Sequence, residues 1–388
     1  MKTAFIYSDE FEQFIYTPDH PLKPARFKLA YELAKAYGLF GPFHHRVIKA
    51  KPCTVEDLLL AHSVEYVEAV EHAADPRPEW DLLMYGLGTK DTPLPAHIYD
   101  WSRLSVGASM QAAKLVESGE AEVAFNVAGG QHHAFRNRAS GFCYFNDAAV
   151  IIQWFLNNGY ERIAYVDIDA HHGDGVQQIF YRTDRVLTIS LHETGFSAFP
   201  GTGFEREIGE EEGTGYSVNV PLLAGSDDDV FWYAFNEVVP PLLDMFQPDV
   251  LITQIGVDTF CSDPLAKLNV TTHGYCRIIE EFKRLSPGKW VALGGGGYNQ
   301  LNVPRAWTLA WAIMCGVGLP NHLPRHYQKL LKKYQIIGEN DEPPQELRDL
   351  RYRTDLATKI HFLIELEKTV SYIKTHQMQQ VRPRASSS

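Results

Sequence analysis

The placement of histidine and aspartate is the strongest chemical signal in this 388-residue sequence. One string reads Asp167-Ile168-Asp169-Ala170-His171-His172-Gly173-Asp174-Gly175, and an apolar run leads into it. In extended backbone alternate side chains share a side, which sends Asp167, Asp169 and His171 one way and Val166, Ile168 and Ala170 the other. Two carboxylates and an imidazole gathered at a strand end are costly unless a cation joins them. A divalent metal ion meets that need. A third ligand has to come from another strand end, and Asp258 follows the apolar run at 249–257. Alone, Asp258 reads as a helix cap or turn residue. In company it completes a set of three, and three protein ligands with an open position mark a catalytic metal site.

Two aspartates offset the formal charge of a divalent ion, so a water held there is acidified less than at an all-histidine site. A dedicated base is therefore expected. Gly129-Gly130-Gln131-His132-His133 offers two candidates after the run at 123–127, and the glycine pair permits a turn that brings both imidazoles to one cavity. Asp167 and Asp174 are carboxylates available to orient them. Four glycines (294–297) precede Tyr298, but no Gly-Lys-Ser/Thr follows, so a phosphate cradle is not expected. A pliant loop that brings the Tyr298 hydroxyl to a developing oxyanion is the better reading. Gly141-Phe142-Cys143 and Phe199-Pro200-Gly201 set two aromatics beside glycines, where they would wall a narrow apolar channel.

These residues need a frame. Short β-branched runs recur at 4–7, 123–127, 163–168, 186–191, 218–220, 250–255 and 290–293, with helical spacing at 104–116, 148–156, 231–246 and 275–285. That alternation predicts an α/β fold: a single open, mostly parallel sheet flanked by helices on both faces, with its site beyond the carboxyl ends of the strands. Residues 1–318 read as one catalytic domain. Residues 319–388 read as a C-terminal helical extension, broken by Pro320, Pro324 and Pro343-Pro344, with a helix at 356–373 and a frayed basic, serine-rich end from Val381.

Composition narrows the function. With 36 Lys+Arg against 48 Asp+Glu the net charge is −12, which speaks against a phosphate-backbone partner such as nucleic acid. No apolar stretch is long enough to span a bilayer, and the N-terminus reaches an acid before any signal-peptide core. A cytoplasmic location and no membrane partner are the expectation. Five scattered cysteines without Cys-x-x-Cys argue against a disulfide framework or a finger-type zinc site. Oligomeric state is not legible.

Taken together the motifs resemble the histone deacetylase family of metal-dependent acyl-lysine hydrolases, with the arginase–deacetylase fold, and are most similar to its bacterial acetoin-utilisation (AcuC-type) branch. The resemblance runs from His20-Pro21-Leu22-Lys23-Pro24-Ala25-Arg26 through Tyr85-Gly86-Leu87-Gly88-Thr89-Lys90-Asp91 and Ser190-Leu191-His192-Glu193 to Pro304-Arg305-Ala306-Trp307. It implies a zinc-type ion on Asp169, His171 and Asp258; mixed carboxylate–imidazole ligation also admits iron(II), cobalt or manganese. It implies His132 paired with Asp167, and His133, the general base and acid, paired with Asp174. Tyr298 would bond the carbonyl oxygen, Gly141, Phe142 and Phe199 would flank the acyl-lysine channel, and Asp91 would grip substrate amides at the rim. Arg26 would lie where acetate leaves. Potassium would bind at Asp167, Asp169, His171, Ser190 and Leu191, and at Phe180, Thr183, Val186 and Tyr216. Two departures stand out: Gln131 replaces a commonly apolar residue, and the residues after Cys315 match no named motif of the family.

The implied activity is hydrolysis of N-acetyl-lysine in a protein or peptide, linked to acetoin or acetate metabolism. Acetylpolyamine hydrolysis is the near alternative. Dimanganese arginase chemistry fits less well, because Asp174 falls one residue late for it. An inert acyl-lysine binding module would call for the loss of Tyr298 or a tandem histidine, and neither is lost.

Overall fold

A computed structural model describes residues 2–13, 16–41, 44–77 and 80–384. Its centre is one sheet of β1 (Thr3–Tyr7), β2 (His45–Lys49), β3 (Val123–Asn126), β4 (Ile163–Asp167), β5 (Val186–Glu193), β6 (Ser217–Leu222), β7 (Val250–Gln254) and β8 (Trp290–Leu293). The order is β2-β1-β3-β8-β7-β4-β5-β6, and every neighbouring pair is parallel. The mostly parallel expectation becomes a wholly parallel sheet. Strands β1, β3, β4, β5, β7 and β8 are buried at every position, which is why they read as continuous apolar runs rather than alternating ones.

The sequence reading missed β2. It is the half-exposed edge strand His-Arg-Val-Ile-Lys, whose charged residues suit an edge and disguise a strand. The opposite edge, β6, is covered: the Gln377 side chain donates to the Ser217 carbonyl at 2.7 Å.

Helices α1 (Ala25–Ala36), α2 (Val55–Leu58), α3 (Val64–Glu71), α4 (Ile98–Glu117), α5 (Asp147–Asn157), α6 (Asp174–Ile179), α7 (Asp228–Phe246), α8 (Thr272–Leu285), α9 (Asn302–Cys315), α10 (Arg325–Lys333) and α11 (Leu356–His376) surround the sheet. One layer runs α1, α9, α8, α7, α11 in successive contact, and α3, α4, α5 and α6 form the other. Helix α9 escaped the spacing argument because nearly all of it is buried, leaving no polar face to betray a period.

Leu366, Val370 and Ile373 of α11 pack into the same core as the sheet strands. The end from Val381, read from sequence as frayed, is tied down as far as Arg384. Val381 is buried, the Arg382 N–H donates to the Tyr216 hydroxyl at 3.0 Å, and Arg384 pairs with Asp249 at 2.7 Å. The rest of that segment, 385–388, lies outside the described residues. Among the described residues no helix is long and apolar enough to cross a membrane.

Candidate active site

Strands β3, β8, β7 and β4 are neighbours in space although their order in the chain is different. Being parallel, they present their carboxyl ends along one edge, and each delivers a chemical group there. The tandem histidines follow β3, Tyr298 follows β8, Asp258 follows β7, and the 167–174 string follows β4.

Strand β4 ends at Asp167, so the alternating-side argument does not carry through residues 168–171. A turn replaces it. The Asp169 N–H donates to Asp167 Oδ1 at 3.0 Å, and the His171 N–H to Asp169 Oδ1 at 3.0 Å. Asp167 turns toward His132, while Asp169 and His171 meet Asp258. His171 Nδ1 lies 3.1 Å from Asp169 Oδ1 and 2.9 Å from Asp258 Oδ2, and the donor atoms of all three residues fall within 4.8 Å of one another.

The charges show what the cluster fits. Burial disfavours a charged His171, yet the bonds to Asp169 and Asp258 push it well above its ordinary value. Burial, then the Asp169 charge, lifts Asp258 to about 7. Two buried carboxylates sharing one imidazole attract positive charge, and two oxygens with one nitrogen suit a divalent cation.

The Asp169 and Asp258 carboxylates are held by bonds that sequence alone does not reveal. Gln254 Nε2 donates to Asp169 Oδ2 at 2.5 Å, the Gly296 N–H to the same oxygen at 2.7 Å, and the Ala170 N–H to Asp258 Oδ1 at 2.8 Å. Such bonds orient metal ligands. A Cβ on Gly296 would lie 2.0 Å from Asp258 Oδ2. This part of the glycine run serves close approach to the carboxylates rather than pliancy.

His132 Nδ1 bonds Asp167 Oδ2 and His133 Nδ1 bonds Asp174 Oδ1, each at 2.7 Å, and the two rings are 4.0 Å apart. An ionised carboxylate only accepts, so each Nδ1 is the donor and each Nε2 is left to face the site. The turn between β3 and these rings is clamped by the start of α5. Asp147 accepts the N–H groups of Gly130 and Gln131, and the Asn146 amide donates to the carbonyls of His132 and Ala134. Neither residue was singled out from sequence. The available signal was an Asn-Asp pair opening an apolar helix, where buried polar groups must have partners.

A cavity of about 240 Å³ opens above this cluster, lined by Asp91, His133, Gly141, Phe142, His171, Phe199, Leu265 and Tyr298 among others. The Phe199 ring stands 5.0 Å from His133, and Phe142 lies 5.7 Å from Tyr298. Gly141 has φ +50°, and a Cβ there would lie 2.4 Å from the His133 ring, so a larger residue would close the passage. Phe142 itself holds a left-handed φ of 68°, fixed by a Tyr16 hydroxyl bond to its carbonyl at 2.7 Å. Burial, then the Asp258 and Asp169 charges, keeps the Tyr298 phenol protonated and thus a donor.

Asp91 is exposed at the mouth. Arg26 is buried beneath, its Nη1 donating to the Gly297 carbonyl at 2.7 Å with Phe27 and Trp307 rings against it. Ser190 registers beside Asp167 across β4 and β5, with Leu191 next to it in β5 and Asp169 and His171 just beyond the end of β4. Phe180 and Thr183 lie in the turn between α6 and β5, Val186 opens β5, and Tyr216 precedes β6. His172 turns away from the cluster, to Thr202 and Gln177.

Residues 20–314 match the family model described as histone deacetylase domain. The chain is 41% identical over 332 residues to acetoin utilization protein AcuC of Bacillus subtilis (strain 168), covering 83% of this chain and 84% of that protein. It is 34% identical to histone deacetylase B of Dictyostelium discoideum, over 98% of this chain and 90% of that one. That second alignment extends past Cys315, so the C-terminal helices have a counterpart there although no motif in them announces one. A solved histone deacetylase homologue from Aquifex aeolicus superposes with a TM-score of 0.87 at 34% identity, covering 96% of this chain and all of that one. A solved homologue complexed with SAHA gives the same TM-score at 33% identity.

Proposed function

Because the chain belongs to the histone deacetylase family, we propose that it hydrolyses N-acetyl-lysine side chains in proteins and releases acetate. One observation carries this reading. A narrow aromatic-walled passage ends on a carboxylate–imidazole cluster, a histidine paired through Nδ1, and a protonated tyrosine. A lysine arm is thin and flexible, and once acetylated it is neutral, so it enters such a passage without desolvating a charge.

A divalent ion on Asp169, His171 and Asp258, zinc in this reading with iron(II), cobalt and manganese as admissible substitutes, would supply Lewis-acid chemistry toward water and the acyl carbonyl. His133 does the proton work. Its Nδ1–H is committed to Asp174, and its Nε2 takes a proton from the attacking water and returns it to the leaving amine. His132 holds positive charge beside Asp167 and so stabilises the oxyanion electrostatically. The Tyr298 hydroxyl donates to the carbonyl oxygen as its charge develops. Asp91 accepts from the backbone amides on either side of the acyl-lysine, and acetate departs past Arg26. Potassium at the two sets of residues named above would stiffen the strand ends. Residues 1–318 carry the chemistry, and the helices beyond serve as a brace. The relative's name, acetoin utilization protein, supports a role linked to acetoin metabolism, and a cytoplasmic location belongs to the same reading.

The test is acetate release by metal-loaded protein from an acetyl-lysine peptide and from acetylspermidine. Peptide is expected to win in kcat/KM, and Asp91→Asn to weaken peptide turnover alone. Equal or better activity on acetylspermidine, untouched by that substitution, would move the assignment to a small-molecule deacetylase.

A further inference from the structure

Tyr298 reaches the cavity at the end of a glycine run, with no regular element of its own to fix it. A carboxylate fixes it instead. Asp263, 8% exposed, lies in the loop that follows Asp258. Its Oδ2 accepts the backbone N–H of Tyr298 at 2.7 Å, and its Oδ1 accepts that of Leu265 at 2.9 Å. Tyr298 and Leu265 both line the cavity. One side chain therefore sets the place of the proposed oxyanion donor and of a residue at the mouth. It also joins the loop that bears Asp258 to the loop that bears Tyr298.

We infer that Asp263 is a positioning residue for the deacetylation: it holds the Tyr298 phenol at the acyl oxygen through the Tyr298 backbone, and it acts on turnover by way of that phenol alone. The inference rests on Tyr298 being the oxyanion donor. An N–H bond to a buried carboxylate is stronger than a neutral one. A shift of about 1 Å in a catalytic group costs up to about 10²-fold in rate. Asparagine in place of Asp263 keeps one acceptor oxygen and sets an NH₂ against the other N–H, so it can serve Tyr298 or Leu265 but not both. Alanine serves neither. Ser262 makes separate ties nearby that leave the Tyr298 N–H alone: Asn302 Nδ2, at the start of α9, donates to Ser262 Oγ at 2.7 Å, and Asn299 Nδ2 donates to the Ser262 carbonyl at 3.0 Å.

A double-mutant cycle separates a route through Tyr298 from a general loosening of the loops. Wild type, Asp263→Asn, Asp263→Ala, Tyr298→Phe, Asp263→Asn/Tyr298→Phe and Ser262→Ala are compared on one acetyl-lysine peptide, with metal stoichiometry and Tm recorded for each. Expected are unchanged metal, a kcat lowered about tenfold or more by Asp263→Asn with KM within about threefold, and a larger loss for Asp263→Ala. The double variant should match Tyr298→Phe within about twofold, and Ser262→Ala should stay near wild type. If alanine prevents folding, the near-isosteric asparagine still decides. Multiplicative losses in the double variant, lost metal in Asp263→Asn, or an equal loss in Ser262→Ala would each overturn the inference while leaving the function intact. Near-normal turnover in Tyr298→Phe would remove the donor reading itself, and this inference with it.

Discussion

The inner and outer halves of the site contain the same pair of side chains in opposite electrical states. His132 with Asp167 and His133 with Asp174 are both buried, and both make a 2.7 Å bond through Nδ1. Burial penalises a charged imidazole in each. For the inner ring Asp167, and then Asp169, outweigh that penalty and raise His132 to about 9. For the outer ring the positive His132 adds to burial, Asp174 compensates only in part, and His133 falls to about 4. A cation held on Asp169 would cancel some of the inner lift and leave Asp167 as its main support. The lesson is that a histidine–carboxylate pair has no fixed protonation state. Here the neighbouring charges favour the protonated form of one ring and the neutral form of the other, and a neutral ring suits the proposed base.

Removing the outer ring gives the largest test of that difference. His133→Ala should lower turnover by about 10²–10⁴-fold with metal content unchanged, and His132→Ala should retain at least about tenfold more activity. Equal losses, measured as kcat on metal-replete protein, would erase the distinction. Tyr298→Phe probes the outer half from its other wall. About 10²–10³-fold in kcat is expected, with KM little altered, because the donor acts most on charge that develops in the transition state.

The inner half is read through stability. The ordinary imidazole value is near 6.5 and His132 is raised to about 9, so its bond to Asp167 stabilises fully below about pH 6.5 and is lost as pH rises through 9. Metal-free protein should therefore lose Tm across that interval. His171, raised by its own carboxylates, contributes to the same slope, and the part that Asp167→Asn removes belongs to His132. A slope unchanged by Asp167→Asn would mean that His132 is not charged. The smallest effect is expected from Tyr165→Phe, which deletes a 2.6 Å bond to Asp167 Oδ2. Denaturant unfolding should show a loss of about 1.5–3 kcal/mol, with turnover within about threefold of wild type.

How much of this was legible depended on whether a group announces itself by type or by position. His132, His133, Asp169, His171 and Asp258 are residue types with few bland explanations when they crowd strand ends, and the structure gathers them in one place. Seven strands showed because burial on both faces writes a continuous apolar run. Strand β2 and helix α9 did not, one being a charged edge and the other buried on all sides. Gln254, Asn146 and Asp147 stayed hidden for another reason. Gln254 bonds a carboxylate 85 residues away that the pairing of β7 with β4 brings within reach, while Asn146 and Asp147 bond backbone groups of the preceding loop, and neither kind of partner shows in residue type. The alternation argument placed Asp167 with Asp169 and His171 on one side; the turn after β4 gives Asp167 to His132 instead.

The proposed metal ligands His171 and Asp258 are 87 residues apart, and they become neighbours because β7 inserts beside β4. During synthesis, a nascent chain that stops short of β7 holds two of the three donors and can close no ring around an ion. Parallel pairing of this kind contributes late and slowly to folding, since long loops must be closed before the contacts reward them. Capture of a metal at these three residues would therefore follow the docking of β7 beside β4. Chelator added during refolding should leave the rate of sheet assembly unchanged and prevent only the last gain in stability.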